Sequence, residues 1–185
     1  IFVANPNNPT GTNLSAAQMR YLLQALPAHV LVVVDEAYAA FARAPDFEGA
    51  LGLLETHPNL IVMNTLSKSH GLAGLRIGFG FMGESLHDLI MRIKPPFNMN
   101  LLAITAGRAA LADRDFLEAT LELTWKGIDQ LRRGCAALGL PCGETQTNFA
   151  LVHLGGRARG VYDALLERGI ITRHMPVLEE YLRVS

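Results

Sequence analysis

The sequence predicts an α/β fold: a mostly parallel sheet covered on both faces, followed by a smaller α+β unit. Three observations predict it. Short continuous apolar runs recur at residues 1–4, 30–34, 60–63 and 77–82, and helical segments separate them. Runs without polar alternation belong to parallel sheets buried between helices. After Lys94-Pro95-Pro96 the pattern changes to long helices and then short strands.

Residues 1–4 end in Asn5-Pro6-Asn7-Asn8-Pro9-Thr10-Gly11, whose prolines, asparagines and glycine exclude a helix and specify a turn. Ser15, with Gln18 three residues on, opens a helix as a capping box. Met19, Leu22, Leu23 and Leu26 follow at helical spacing, and Pro27 stops it. The 30–34 strand closes on Asp35-Glu36; 60–63 and 77–82 are the third and fourth strands. Lys94-Pro95-Pro96-Phe97-Asn98 is a break, and residues 101–112 are an Ala/Leu-rich helix. A longer helix is expected from 115 to about 138, with Phe116, Leu117, Leu121, Leu131 and Leu138 apolar and Gly127 a place for a bend. Residues 139–143 read as a turn, 149–154 as a strand, 160–168 as a helix and 170–172 as a strand. The expected division is therefore 1–112, part of a large domain, and 113–185, a small one joined through the long helix. The chain opens on an apolar strand without a Met and stops within another at Leu182-Arg183-Val184, so a fragment of a longer chain is expected.

Composition narrows the function classes. Of 185 residues, 50% are hydrophobic and 18% charged, with 16 Lys+Arg against 17 Asp+Glu. That is enough apolar surface for a core and too little net charge for disorder or for a basic nucleic-acid surface. No run approaches the ~20 apolar residues of a membrane helix, and residues 1–10 lack the features of a secretory leader. Two cysteines, Cys135 and Cys142, make no disulfide framework and have no metal-ligand spacing. The expectation is a reduced, cytoplasmic protein with no metal, nucleic-acid or membrane partner.

In sheets of this kind ligands bind beyond the carboxyl ends of the strands. Asn8, Asp35 and Lys68 each lie at or after a strand end, so they converge. Hydroxyls flank Lys68 at Thr65, Ser67 and Ser69, and Arg76 follows past a glycine-rich turn. Hydroxyls and a guanidinium fork suit a phosphate monoester. A lysine beside such a site and near a carboxylate points to an imine-forming lysine that holds pyridoxal phosphate. Asp35 would then pair with the pyridine N–H, and Tyr38 and Asn8 would reach the ring oxygen. Taken singly, each residue is also explained blandly: a surface lysine, a helix cap, a half-buried aromatic, a turn amide.

The ordered set resembles the fold-type I pyridoxal-phosphate aminotransferases. It comprises Asn5-Pro6-Asn7-Asn8-Pro9-Thr10-Gly11, Val34-Asp35-Glu36-Ala37-Tyr38, and Ser67-Lys68 with Arg76. Gly71-Leu72-Ala73-Gly74-Leu75-Arg76, Pro96-Phe97-Asn98-Met99-Asn100 and Thr147-Asn148-Phe149-Ala150-Leu151-Val152 make it most similar to the branch acting on histidinol phosphate. The resemblance implies Lys68 as the covalent cofactor lysine and Asp35 at the pyridine nitrogen. It implies Asn8 and Tyr38 at the ring oxygen, and Arg76, Ser67 and Thr65 at the phosphate. Arg183, Arg173 and Asn148 would bind substrate. The implied reaction transfers an amino group between histidinol phosphate (giving imidazole-acetol phosphate) and 2-oxoglutarate (giving glutamate), in a homodimer. It also implies that roughly the first third to half of the enzyme is missing. His70 departs from the family, standing where an aromatic such as Phe is expected.

Other readings stay open. Within the same fold these are an aromatic amino-acid aminotransferase, a threonine-phosphate decarboxylase and a non-catalytic binding protein. A P-loop ATPase would need Gly-x-x-x-x-Gly-Lys-Ser/Thr, which is absent. A Ser-x-x-Lys acyl-enzyme fails because Thr65 stands three residues before Lys68.

Overall fold

The computed structural model describes residues 1–185. A four-stranded sheet has the order β1 (Phe2–Ala4), β2 (Val32–Asp35), β3 (Leu60–Thr65), β4 (Gly78–Met82). β1, β2 and β3 pair in parallel, with Ala4 level with Asp35 and Asp35 level with Met63. β4 pairs antiparallel with β3. The reversal has a local cause: residues 66–77 contain one short 3₁₀ turn, Ala73–Leu75, and no crossover helix to carry the chain back to the sheet's other end.

Strand pleating sorts the side chains. Val32, Val34, Leu60 and Val62 point to one face and pack with Met19, Leu23 and Ala50. Each large aliphatic side chain buried there contributes roughly 1.5–3 kcal/mol. Met19 and Leu23 come from α1 (Ala16–Ala25), which starts on the expected capping box, Ser15 Oγ accepting from Gln18 N and Gln18 Oε1 accepting from Ser15 N. Val33, Asp35, Ile61, Met63 and Thr65 point to the opposite face and line a cavity of about 560 Å³.

α2 (Glu84–Ile93), which the sequence reading did not anticipate, follows β4. α3 (Leu101–Ala112) is capped by Asn100, and α4 (Arg114–Ala137) by Asp113. α4 runs unbroken through Gly127, so the bend allowed there does not interrupt the helix. Beyond it lies a three-stranded antiparallel sheet ordered β5 (Ala150–His153), β7 (Leu178–Val184), β6 (Arg173–Met175), with α5 (Ala158–Glu167) against it. Its core is Cys135, Val152, Leu154, Ala158 and Leu182. Both cysteines are free thiols, and burial pushes Cys142 up to about 11. The strand expected at 170–172 is displaced: those residues lead into β6, and Arg173 opens that strand because its pairing with Arg183 sets the register. No helix is long and apolar enough to cross a membrane.

Candidate active site

Parallel pairing delivers the ends of β1, β2 and β3 to one edge. Asn5 N donates to Asp35 O at 2.9 Å and Glu36 N to Met63 O at 2.8 Å, so the chain leaves all three strands in step. The turn carrying Asn8, the segment carrying Tyr38 and the loop carrying Lys68 therefore rise side by side. Asp35, turned away from the Val34 side, accepts Ala37 N on Oδ1 at 3.0 Å; its other oxygen has no partner within the chain.

Lys68 sits in a loop closed at its base. Thr65 Oγ1 donates to Ile77 O at 2.8 Å, Leu66 N donates to the same carbonyl at 3.2 Å, and Leu72 N donates to Leu66 O at 3.0 Å. Leu66 and Ile77 are buried with Ala103 of α3, which anchors the loop floor. The side chain of exposed Lys68 makes no hydrogen bond; its ammonium lies over the Tyr38 ring, 5.4 Å from the centroid. The other lysines are engaged elsewhere, Lys94 with Asn98 Oδ1 at 3.1 Å and Lys126 with Glu122 at 2.6 Å. Arg76, at the far end of the loop, holds a left-handed backbone with φ 59° and ψ 51°. That conformation is unfavourable for a residue with a Cβ by roughly 1–2 kcal/mol. An exposed cation held in a strained turn is a mark of a binding site. Its Nη1 donates to Ala73 O at 2.8 Å, leaving the remaining guanidinium N–H groups available.

A contact chain joins this loop to the second sheet. Tyr38 is buried and packs edge-on with Phe149, the centroids 5.3 Å apart and the rings at 88°. The Arg183 guanidinium lies over Phe149 at 4.6 Å and donates from Nη1 to Asn8 Oδ1 at 2.7 Å. Arg183 Nε is buried without a partner. Arg173 stands directly opposite Arg183 in the β6–β7 register, and both line a cavity of about 480 Å³ with Tyr162, Thr172 and His174. Like charges directly opposite repel across a strand pair, so this arrangement favours an anion between them.

Asn8, Tyr38, Lys68 and Arg183 are thus brought together, while Asp35 and Thr65 line the adjoining cavity. Asn148 lines a neighbouring cavity beside Leu123, Thr124 and Ile128 of α4, which shares Ser185 with the Arg173 and Arg183 cavity. Thr65 commits its one hydroxyl proton to Ile77 O, and its oxygen accepts Ser67 N at 3.1 Å, so it shapes the loop. Ser69 is buried and its hydroxyl bonds His70 Nδ1 at 3.1 Å; burial lowers the His70 pKa.

The sequence reading passed over Phe149 and Glu36. Phe149's only signal was its place in the Thr147-Asn148-Phe149 stretch. Glu36 is 6% exposed, its Oε1 accepts Ala50 N at 2.6 Å, and a Cβ on Gly49 would lie 3.2 Å from Oε2. Burial pushes its carboxyl above the ordinary value of 4.5, and the Ala50 N–H pulls partly back. The raised value means that the folded state binds the Glu36 proton more tightly than the unfolded chain. Its contribution to stability is therefore present below about 4.5 and is lost as pH rises through the folded value. Glu36→Gln keeps the acceptor and removes the titration. Melting curves from pH 4 to 8 should show wild type losing stability relative to Glu36→Gln as pH rises; a constant difference would contradict the assignment.

A family model for class I and II aminotransferases matches residues 1–185. The chain is 46% identical to "Histidinol-phosphate aminotransferase 2" of Methylococcus capsulatus over 187 positions, covering 100% of this chain and 50% of that protein. It is 44% identical to the protein of the same name from Pseudomonas aeruginosa, covering 100% and 51%. It superposes with a TM-score of 0.92 on the histidinol-phosphate aminotransferase of Sinorhizobium meliloti in complex with pyridoxal-5'-phosphate, at 33% identity and covering 100% and 52%. The chain spans about half the length of the curated relatives it matches.

Proposed function

The chain belongs to the class I and II aminotransferases, and from that premise we propose that it is part of a pyridoxal-phosphate-dependent enzyme moving an amino group between L-histidinol phosphate and 2-oxoglutarate. In this reading residues 1–112 belong to the cofactor-binding domain and 113–185 to the small domain, and the enzyme is a cytoplasmic homodimer. The observation that carries the reading is the contact chain Lys68–Tyr38–Phe149–Arg183–Asn8, which sets a primary amine and an anion-binding guanidinium on one site. Exposed apolar side chains at Ile93, Phe97, Leu101 and Leu102 support a covered surface of the kind a dimer supplies.

The free polar groups fit the cofactor by chemistry. Lys68 Nζ, Asn8 Nδ2, the Tyr38 hydroxyl and one Asp35 oxygen have no hydrogen-bond partner within the chain. Lys68 would hold the cofactor's aldehyde carbon, Asp35 its ring N–H, and Asn8 and Tyr38 its ring oxygen. Arg76 and Ser67 would hold its phosphate, Thr65 fixing the loop they stand on. When bound, pyridoxal phosphate supplies a ring that accepts the electron pair left when the substrate's Cα–H bond breaks.

The chain's own residues do the rest. Lys68 Nζ would serve as the base that takes the proton from the substrate's Cα and hands it on in the 1,3-shift that transamination requires. The free Asp35 oxygen would hold the proton on the ring nitrogen of the cofactor. Arg183 grips the carboxylate of 2-oxoglutarate or glutamate, its orientation fixed by Asn8. Arg173, across the strand pair, meets the phosphate of the other substrate, and a guanidinium fork serves either anion. Buried Phe149 walls the arginine on one side and limits water there.

Steady-state assays of the full-length enzyme test the substrate. Histidinol phosphate should exceed phenylalanine, tyrosine and O-phosphothreonine in kcat/KM by roughly tenfold or more, the discrimination a site built for one polar group supplies. Faster turnover of phenylalanine or tyrosine rejects this substrate and leaves the transaminase reading intact; faster turnover of O-phosphothreonine favours the decarboxylase reading.

A further inference from the structure

We infer that Phe149 is a positioning residue for anion binding: it holds the Arg183 guanidinium in place over its ring while never touching substrate itself. The inference rests on the reading of Arg183 as the site for the substrate's anionic end.

Phe149 is 1% exposed, so no ligand reaches it. Arg183 places its guanidinium over the ring at 4.6 Å and is tethered by a single hydrogen bond, Nη1 to Asn8 Oδ1 at 2.7 Å. One hydrogen bond leaves a long side chain free to swing; a ring face adds the second constraint. Arg183 Nε is buried and unpartnered, so nothing on that side of the fork replaces the ring.

The ring is itself tightly held. Tyr38 meets it edge-on at 5.3 Å. Its backbone is tied by a buried hydroxyl ladder: Thr147 Oγ1 donates to Phe149 O at 3.1 Å and lies 2.9 Å from Thr145 Oγ1. Thr145 packs against Gly11, where a Cβ would lie 2.3 Å from its hydroxyl oxygen, and Gln146 N donates to Gly11 O at 2.7 Å. Gly11 has φ +76° and ends the turn that carries Asn8. Gln146 Oε1 accepts both Arg43 N and Ala44 N, at 2.6 and 2.8 Å, pinning the segment to the stretch after Tyr38. Residues 145–149 thus lock Phe149 to the same turn that supplies Arg183's hydrogen-bond partner. Both constraints on the guanidinium share one rigid base.

The probe is glutarate, a dicarboxylate without a carbonyl to react, titrated calorimetrically into the full-length holoenzyme. Phe149→Leu keeps apolar volume and removes the ring face; glutarate affinity should fall roughly five- to tenfold, the range of a partly desolvated cation–π contact. Phe149→Tyr keeps the face and should stay within about twofold of wild type. Equal loss in both variants, or unchanged glutarate binding in Phe149→Leu whatever its melting temperature, overturns the inference. If Phe149→Leu does not fold, Phe149→Met fills the space and gives the same reading. Arg183→Lys separates the two claims. If it leaves glutarate binding unchanged, Arg183 is not the anion site. If it weakens binding and Phe149→Leu does not, only the role of Phe149 fails. In the Arg183→Lys background, Phe149→Leu should add less than about twofold, because the ring acts through the fork; additive losses overturn the inference.

Discussion

Lys68→Ala in the full-length enzyme should cut turnover by about four orders of magnitude or more, because in the proposed role Lys68 is both the covalent anchor and the proton carrier. Folding should survive. Lys68 is exposed, its side chain makes no hydrogen bond, and its ammonium only lies over the face of Tyr38 at 5.4 Å. Borohydride reduction of wild type followed by peptide mapping should place the cofactor adduct on Lys68. Lys94 and Lys126 are the other lysines of this chain, and each is already held by a neighbouring side chain on the surface. An adduct on any lysine other than Lys68, or turnover within tenfold of wild type in Lys68→Ala, would sink the assignment.

Asp35→Ala should lower kcat by on the order of a hundredfold or more, the scale of losing a preorganised charge at a reacting centre. In the proposed role the chemistry would depend on this carboxylate, because the ring nitrogen accepts electrons well only while it carries a proton. Stability should change little. Asp35 gives up one hydrogen bond, to Ala37 N at 3.0 Å, which is worth about 1 kcal/mol. Its side chain lies on the face opposite the Val32, Val34, Leu60 and Val62 core. The discriminating measurement is the rate of the half-reaction with the amino donor, followed by absorbance, beside the melting temperature of the cofactor-free protein. A half-reaction near the wild-type rate, or a melting temperature that collapses with it, would show Asp35 to be structural.

Residues close in sequence were legible from sequence alone. The capping box of Ser15 and Gln18, the turn of Asn5 to Gly11 and the helix Leu101–Ala112 depend on backbone preferences and spacing within a few residues, and the structure holds them. The candidate cofactor residues were legible for a related reason. Asn8, Asp35 and Lys68 follow strand ends, and parallel pairing must bring such ends to one edge. Sequence therefore determined the fold class and the candidate residues whose partners lie on neighbouring strands or within one loop.

Tertiary structure decided what depended on distant segments. β4 runs antiparallel because Thr65 and Leu66 bond Ile77 and close the loop, a pairing that apolar runs alone do not encode. Arg173 opens β6 instead of following a strand, since its register is set by pairing with Arg183 of β7. Asn148 lines a cavity beside α4 that meets the Arg173 cavity at Ser185, and Thr65 spends its proton on the loop, two outcomes set by side-chain direction. The Arg183–Asn8 bond spans 175 residues of sequence, and Phe149 lies between arginine and tyrosine only after both sheets have packed. Local preference acts over a turn or two of chain. A contact between far positions is chosen by burial and hydrogen-bond satisfaction across the whole molecule, so its residue types were readable in advance and its geometry was not.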